Sequence, residues 1–185
     1  MIAVLNTRLI KIPIDSIPIV GIETAMDVFT GYLMLDAWIA NQDRHHENWG
    51  LILTGDSSIH LTPTYDHASS MGRNETDSTR RNKLSSDDDK RGMDAYVKRA
   101  LSAFYESSSI EKRLTTIDAF AYAARRFPRA TKVWLEHLGG VSKESLESIF
   151  RQLPNNEITE TAILFAQKIL CLNRERLLSF KKEIT

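Results

Sequence analysis

The apolar pattern of residues 22–40 constrains the fold of this chain more than any other feature of its sequence. Apolar side chains recur there every three or four positions, which places them on one face of a helix. They are Ile22, Ala25, Met26, Phe29, Leu33, Ala37 and Trp38. The spacing predicts one long helix with a buried face, although Gly31 within it lowers the helical propensity.

A polar segment follows this helix and leads into a predicted β-hairpin. The polar segment is Asn41–Asn48. Two short apolar runs, 49–53 and 59–61, come next, and the turn residues between them include Gly55, which is typical of a hairpin. A second polar segment, which contains Asp66, begins directly after the second run. The predicted order is therefore helix, polar loop, hairpin and aspartate.

This order suits the chemistry of phosphoryl transfer in kinases. One carboxylate orients the attacking hydroxyl and accepts its proton, while further oxygen ligands hold Mg²⁺ against the phosphates. Asn48 follows Asp43 by five residues, and Asp66 follows Asp43 by 23 residues, beyond the hairpin. Each feature alone is weak evidence, because Asp and Asn commonly form turns or end helices. Their common order favours a catalytic and metal-binding site.

Two segments resemble those of a known family. Asn41–Gly50, with the sequence NQDRHHENWG, resembles the catalytic loop of HipA-like serine/threonine kinases. Leu61–Asp66, with the sequence LTPTYD, resembles their metal-binding segment. The specific resemblance covers about residues 22–72. The residues that would continue the metal-binding segment are Ser69, Ser70 and Gly72.

The resemblance implies roles for individual residues. Asp43 would be the catalytic base, and Asn48 and Asp66 would be the ligands of the Mg²⁺ that accompanies ATP. His45 and Tyr65 would support the loop. Some members of the family are bacterial toxins that phosphorylate a translation-related protein and pair with a DNA-binding antitoxin, so a protein substrate and an antitoxin-like partner are expected.

The resemblance also sets the expected fold and domain organisation. We expect a mainly α-helical fold, in which residues 22–185 form a kinase-like C-terminal lobe, a helical bundle with one small β-hairpin. The family has an N-terminal lobe with a glycine-rich phosphate loop and a phosphate-binding lysine. Residues 1–21 contain one glycine, so we interpret them as a linker or the remnant of a missing N-terminal lobe that another chain could supply. Lys11 could imitate the phosphate-binding lysine, but no preceding helix supplies its acidic partner.

The rest of the chain predicts further elements from local signals. A segment rich in charged and turn residues predicts an irregular surface loop, and later segments predict helices. The expected elements are a loop over 72–92, a helix over 94–106, a helix capped by Thr115 or Thr116 that runs to Phe127, a helix over 130–138 that stops at Gly139-Gly140, a helix capped by Ser142 and a last helix capped by Thr159. Cys171 lies in an apolar pattern and is expected to be buried.

Composition excludes several classes of function. Lys and Arg together number 24, as do Asp and Glu, so the chain has no net charge and direct nucleic-acid binding is not expected. The sequence has neither the apolar run of a signal peptide nor a stretch long enough to span a membrane, so we expect a cytoplasmic protein without membrane contact.

Three alternatives stay open at this point. A non-catalytic kinase remnant would hold a partner or a nucleotide without turnover. A phosphoinositide-kinase-like enzyme also has an Asp-Arg-His-x-x-Asn loop, but its second aspartate is normally followed by Phe-Gly, whereas His67 and Ala68 follow here. A zinc site at His45 and His46 is disfavoured, because adjacent histidines cannot easily share one tetrahedral ion.

Overall fold

The computed structural model describes residues 2–106, 111–154 and 156–182. The helices are α1 (Ile2–Leu5), α2 (Ala25–Ile39), α3 (Asp77–Leu84), α4 (Met93–Lys98), α5 (Thr116–Arg126), α6 (Pro128–Gly140), α7 (Lys143–Arg151) and α8 (Glu160–Ser179), which a 3₁₀ turn (Phe180–Lys182) extends. The strands are β1 (Ile10–Lys11), β2 (Leu51–Leu53), β3 (Ile59–Leu61), β4 (Leu101–Tyr105) and β5 (Arg113–Thr115). The prediction of a mainly α-helical chain is confirmed, but the described residues form two small sheets rather than the one hairpin that was expected.

The central element is α2, which confirms the helix predicted from the apolar pattern of residues 22–40. It begins with a capping box, in which the Thr24 hydroxyl accepts from the Asp27 amide and the Asp27 carboxylate accepts from the Thr24 amide. Its residues are buried around most of its circumference, because α2 packs against α5, α6 and α8. The helix therefore lies at the centre of the core and carries its C-terminal end into the polar loop.

The predicted hairpin is present as β2 and β3, which pair antiparallel. Asp56 stabilises the turn: hydrogen bonds from the Thr54 hydroxyl and the Ser58 amide hold the pKa of Asp56 at about 2. Strand β1 adds to the same sheet by parallel pairing with β3. Residues 2–21 thus contribute a helical turn and a strand, and Leu5 and Ile10 are buried in the core.

The structure differs from the sequence-based expectation after residue 72. The predicted loop over 72–92 contains α3, a helix with no buried residue. Arg80 holds it in place by donating to the Asp77 carboxylate and to the carbonyl oxygens of Gly72 and Arg73. The predicted helix over 94–106 is wrong beyond Lys98, because β4 pairs there with β5.

The caps of the later helices follow the sequence closely. Thr115, Ser142 and Thr159 each accept a hydrogen bond from an amide in the first turn of α5, α7 and α8. The expected stop at Gly139-Gly140 is confirmed, because α6 ends at Gly140. Cys171 is exposed rather than buried: it lies on the solvent-facing side of α8, where its thiol is 3.6 Å from a carboxylate oxygen of Glu175. Of the helices described, none is both long and apolar enough to cross a membrane.

A close contact between α2 and α6, at Gly31, allows the packing of the core to be tested by one substitution. A Cβ atom added at Gly31 would lie 2.5 Å from Cε2 of Trp134, whose indole donates to the Asp27 carbonyl oxygen. We expect Gly31→Ala to destabilise the protein by about 1–3 kcal/mol through overpacking, although alanine is the better helix former. The measurement is the urea midpoint.

Gly140→Ala is the matched control for this substitution. Gly140 is also helical, and nothing lies within 4 Å of an added Cβ there. We expect no loss of stability from Gly140→Ala. Equal urea midpoints for the two variants would contradict the close packing of Trp134 on Gly31.

Candidate functional site

The C-terminal end of α2 holds both segments that the sequence singled out. We call residues 41–48 the polar loop and residues 64–70 the returning segment. Ala40 adopts the left-handed conformation (φ 53°) that ends α2, and the Asn41 amide donates to the Asp36 carbonyl oxygen at 2.8 Å. Just beyond the returning segment, the Met71 amide donates to the Ile39 carbonyl oxygen at 2.8 Å. The two segments are therefore anchored to the same turn of helix.

A buried arginine joins the polar loop to α2. Arg44 is 2% exposed, and its guanidinium forms a two-pronged ion pair with the carboxylate of Asp36. Asn41 donates its side-chain amide to the same carboxylate at 2.9 Å. Arg44 also donates to the main-chain oxygen of Asn48 at 3.0 Å, which closes the loop on itself. The loop is thus built around a buried charge that is fully paired.

The same arginine reaches the returning segment. Its Nη2 donates to the Thr64 hydroxyl at 2.8 Å and lies 3.4 Å from Nδ1 of His67, whose Nε2 is 3.1 Å from that hydroxyl. Burial, and then the positive charge of Arg44, lower the pKa of His67. His67 is therefore neutral near pH 7, and it can lie beside the guanidinium without repulsion.

Two further hydrogen bonds connect the segments. The Tyr65 hydroxyl donates to the Glu47 carbonyl oxygen at 2.7 Å, and the Ser69 hydroxyl donates to a carboxylate oxygen of Asp43 at 3.2 Å. With the contacts of Arg44, they join the beginning, middle and end of the polar loop to the returning segment. The loop and the segment consequently form one unit.

The structure brings Asp43 and Asn48 into direct contact. The side-chain amide of Asn48, a residue that is 5% exposed, donates to the Asp43 main-chain oxygen at 2.6 Å. The Asp43 side chain is 44% exposed, so its carboxylate is open to solvent while its backbone is fixed. The imidazole of His45 lies beside it, with Nε2 3.6 Å from Asp43 and Nδ1 accepting from the Glu47 amide at 3.2 Å.

Asp66 lies within the returning segment, between residues that each contact the polar loop. Its backbone is in the left-handed region (φ 52°), which Asp tolerates better than most residues. Its carboxylate is exposed and has no hydrogen bond or ion pair with any other residue that the structure describes. The aspartate is therefore available to a ligand.

Of two other sequence-based candidates, Lys11 lies outside this unit and the adjacent histidines lie within it. Lys11 is exposed and donates to the Ser58 hydroxyl at 2.8 Å, beside the hairpin turn. The rings of His45 and His46 are tilted with centroids 5.7 Å apart. Over residues 2–106, 111–154 and 156–182, no three His, Cys, Asp or Glu side chains lie together as a metal-binding group.

Asp36 and Arg44 are the important residues that the sequence interpretation missed. Asp36 lies within the apolar helix, one position before Ala37, and Arg44 lies within the loop motif. The sequence signal for this pair is a carboxylate on the buried face of a helix with an arginine a few residues later. Buried charges must be paired, so the two residues are expected to meet.

Comparison of the chain with protein-family models, with curated protein sequences and with solved structures finds no match.

Proposed function

We propose that this chain is the catalytic lobe of a HipA-like serine/threonine kinase that transfers a phosphoryl group from Mg·ATP to a protein. The observation that carries this proposal is the docking of the returning segment, with Asp66, onto the polar loop, with Asp43 and Asn48, through the buried guanidinium of Arg44. Residues far apart in sequence are thereby held on one rigid support, as phosphoryl transfer requires.

The chemistry of the donor atoms fits Mg²⁺. This cation prefers oxygen ligands and is usually bound by one or two carboxylates together with phosphates and water. The side-chain nitrogen of Asn48 donates to the Asp43 main-chain oxygen, so the side-chain oxygen is the atom that can bind a cation. Asp66 keeps its carboxylate free of described protein partners. Asn48 and Asp66 are the residues that would hold the ion, which would neutralise charge on the transferred phosphoryl group.

Asp43 would orient the acceptor hydroxyl and accept its proton. Its backbone is fixed by the Asn41 side chain, whose oxygen accepts from the Asp43 amide at 3.2 Å, and by the contact from Asn48. The Ser69 hydroxyl and the His45 ring flank the carboxylate and limit its rotation. A half-exposed, oriented carboxylate can reach a hydroxyl on a bound protein without a large conformational change.

Mg²⁺ and ATP together should stabilise the protein by mass action, because they bind the folded state. Near the dissociation constant the gain is about 0.4 kcal/mol, or about 1–2 °C in melting temperature. We expect Asp66→Asn to abolish the shift, because it removes the charge while asparagine tolerates the same left-handed backbone. The measurement is differential scanning fluorimetry.

Asp15→Asn is the matched control for this experiment. Asp15 is also an exposed aspartate with a positive φ, of 59°, and it lies outside the polar loop and the returning segment. We expect its melting shift to equal that of the wild type. A shift that persists unchanged in Asp66→Asn would place the metal elsewhere and count against the kinase assignment.

A further inference from the structure

A concave surface begins at the polar loop. This basic cleft encloses about 500 Å³, within the usual range of ligand sites, and lies among the polar loop, α3, α4 and the linker between these helices. Gln42 contributes to its lining and is the neighbour of Asp43 in the chain, so the two α-carbons are about 3.8 Å apart. The cleft therefore reaches, at one end, the residue next to the proposed catalytic base.

The cleft is strongly cationic although the whole chain has no net charge. Its charged lining consists of Lys83, Lys90, Arg91 and Arg99 against the single acid Glu75. Of these cations, Arg91 has a carboxylate partner, Asp88 at 3.7 Å. Among the residues the structure describes, no carboxylate lies within 4 Å of the other three. The lining thus carries four cations against one acid, while Asp87, Asp88 and Asp89 directly precede Lys90 in the linker.

An aromatic ring, that of Tyr96, lies beside one of these cations. Lys83 lies 5.2 Å from the centre of the Tyr96 ring, and Tyr96 in turn packs edge-on against Phe165 of α8 at 5.0 Å. Burial, and then the charge of Glu75, raise the pKa of Tyr96 to about 12, so the phenol stays protonated and neutral. The cleft accordingly combines an uncharged aromatic ring with four cationic side chains, which is an arrangement that favours anionic groups.

We propose that the basic cleft binds an acidic segment of the protein acceptor and so directs serine or threonine residues beside acidic side chains toward Asp43. The role of the cleft in acceptor choice rests on the proposed kinase function, but binding of the acidic segment does not need ATP. The ligand groups are side-chain oxyanions, supplied either by aspartate and glutamate or by phosphorylated residues. A protein fits better than a nucleic acid, because the positive charge is confined to one small concavity in a chain with no net charge.

The test is direct binding of fluorescein-labelled peptides to the full chain, followed by anisotropy without ATP. The first peptide has a serine flanked by glutamates, the second has phosphoserines in place of the glutamates, and the third has lysines. We expect the acidic peptides to bind at least about tenfold more tightly than the basic one, with affinity that falls as salt is added. The first two peptides distinguish the sources of the oxyanion.

A pair of matched variants locates the binding. Lys90→Gln with Arg99→Gln should weaken binding of the acidic peptides at least about tenfold. Arg125→Gln with Lys132→Gln removes the same charges from α5 and α6 and should leave the affinity unchanged. All four side chains are exposed, so both double variants should fold, and their melting temperatures check this.

Several results would overturn the proposal: no binding of either acidic peptide, equal binding of acidic and basic peptides, or equal losses in the two double variants. Tighter binding of an RNA oligonucleotide or of ATP, lost in the Lys90 and Arg99 variant, would assign the cleft to that ligand instead. Asp66→Asn should still bind the acidic peptide. If the peptide binds but the Mg·ATP shift is absent, the kinase function fails while the cleft remains a peptide site. If the Mg·ATP shift is present but no acidic peptide binds, the acceptor assignment alone fails.

Discussion

Arg44→Met should lower the free energy of unfolding by about 3–5 kcal/mol, because it leaves the buried carboxylate of Asp36 without its charged partner. The Arg44 side chain is 2% exposed and that of Asp36 is 6% exposed, so water cannot replace the lost interaction. The same substitution removes the hydrogen bonds to Asn48 and Thr64. Urea denaturation followed by circular dichroism measures the loss, and the Mg·ATP shift should vanish with it.

Arg129→Met is the control, because it breaks an ion pair of the same chemistry at the surface. Arg129 contacts Glu23 at 2.6 Å, but the two side chains are 71% and 66% exposed. Exposed pairs contribute about 0–1 kcal/mol, so this variant should remain close to the wild type. Similar losses in the two variants would show that the Asp36–Arg44 pair does not hold the site together.

A double substitution separates stability from function. Asp36→Leu with Arg44→Met removes both buried charges, and such replacements are often neutral or stabilising. We expect it to recover much of the stability that Arg44→Met loses. It should not recover the Mg·ATP shift, because the contacts of Arg44 with Asn48 and Thr64 are still missing.

Asp43→Asn should reduce phosphoryl transfer by about 10²–10⁴-fold when the chain is combined with a nucleotide-binding lobe, supplied on a longer chain or by a partner. The substitution keeps the size of the side chain and removes its ability to accept a proton at neutral pH. The measurement is transfer of radiolabelled phosphate from ATP to the chain itself and to the serine peptides described above. Asp15→Asn, at an exposed position outside the site, should transfer phosphate at the wild-type rate.

The 185 residues alone should transfer little or no phosphate. Before α2, residues 2–24 supply one helical turn and a two-residue strand to the described structure, and Lys11 is engaged with Ser58. ATP bound there would lie on an open, wet surface, where its charges are screened and its γ-phosphate is not held in line with an acceptor. Robust, Asp43-dependent transfer by this chain unaided would show that no additional lobe is required.

The elements that could be predicted from the sequence are those determined by residues close together in the chain. The long helix α2 follows from a regular apolar pattern, and the caps at Thr115, Ser142 and Thr159 follow from hydroxyls that accept nearby amides. The hairpin has two apolar runs and a turn that are contiguous in the sequence.

The parts that the sequence did not predict depend on distant partners. Helix α3 has no apolar face and is held by Arg80, which bonds to carbonyl groups seven and eight residues away. Strand β4 exists because β5 pairs with it, and no local pattern shows that pairing. Within the candidate site the spacing drew attention to Asp43, Asn48 and Asp66, whereas the buried pair of Asp36 and Arg44 emerges only when α2 and the polar loop are packed together.

The burial of that pair has a consequence for how such a site can change over evolutionary time. Asp43 is half-exposed and Asp66 is exposed, so each can be lost singly with little effect on folding, and the proposed activity can disappear in one step. Asp36 and Arg44 cannot be replaced one at a time without a destabilised intermediate. Descendants that abandon catalysis should therefore keep this pair long after the exposed aspartates have drifted. In a set of related sequences, retention of the pair without Asp43 would identify proteins that preserve the shape of the site and use it for binding.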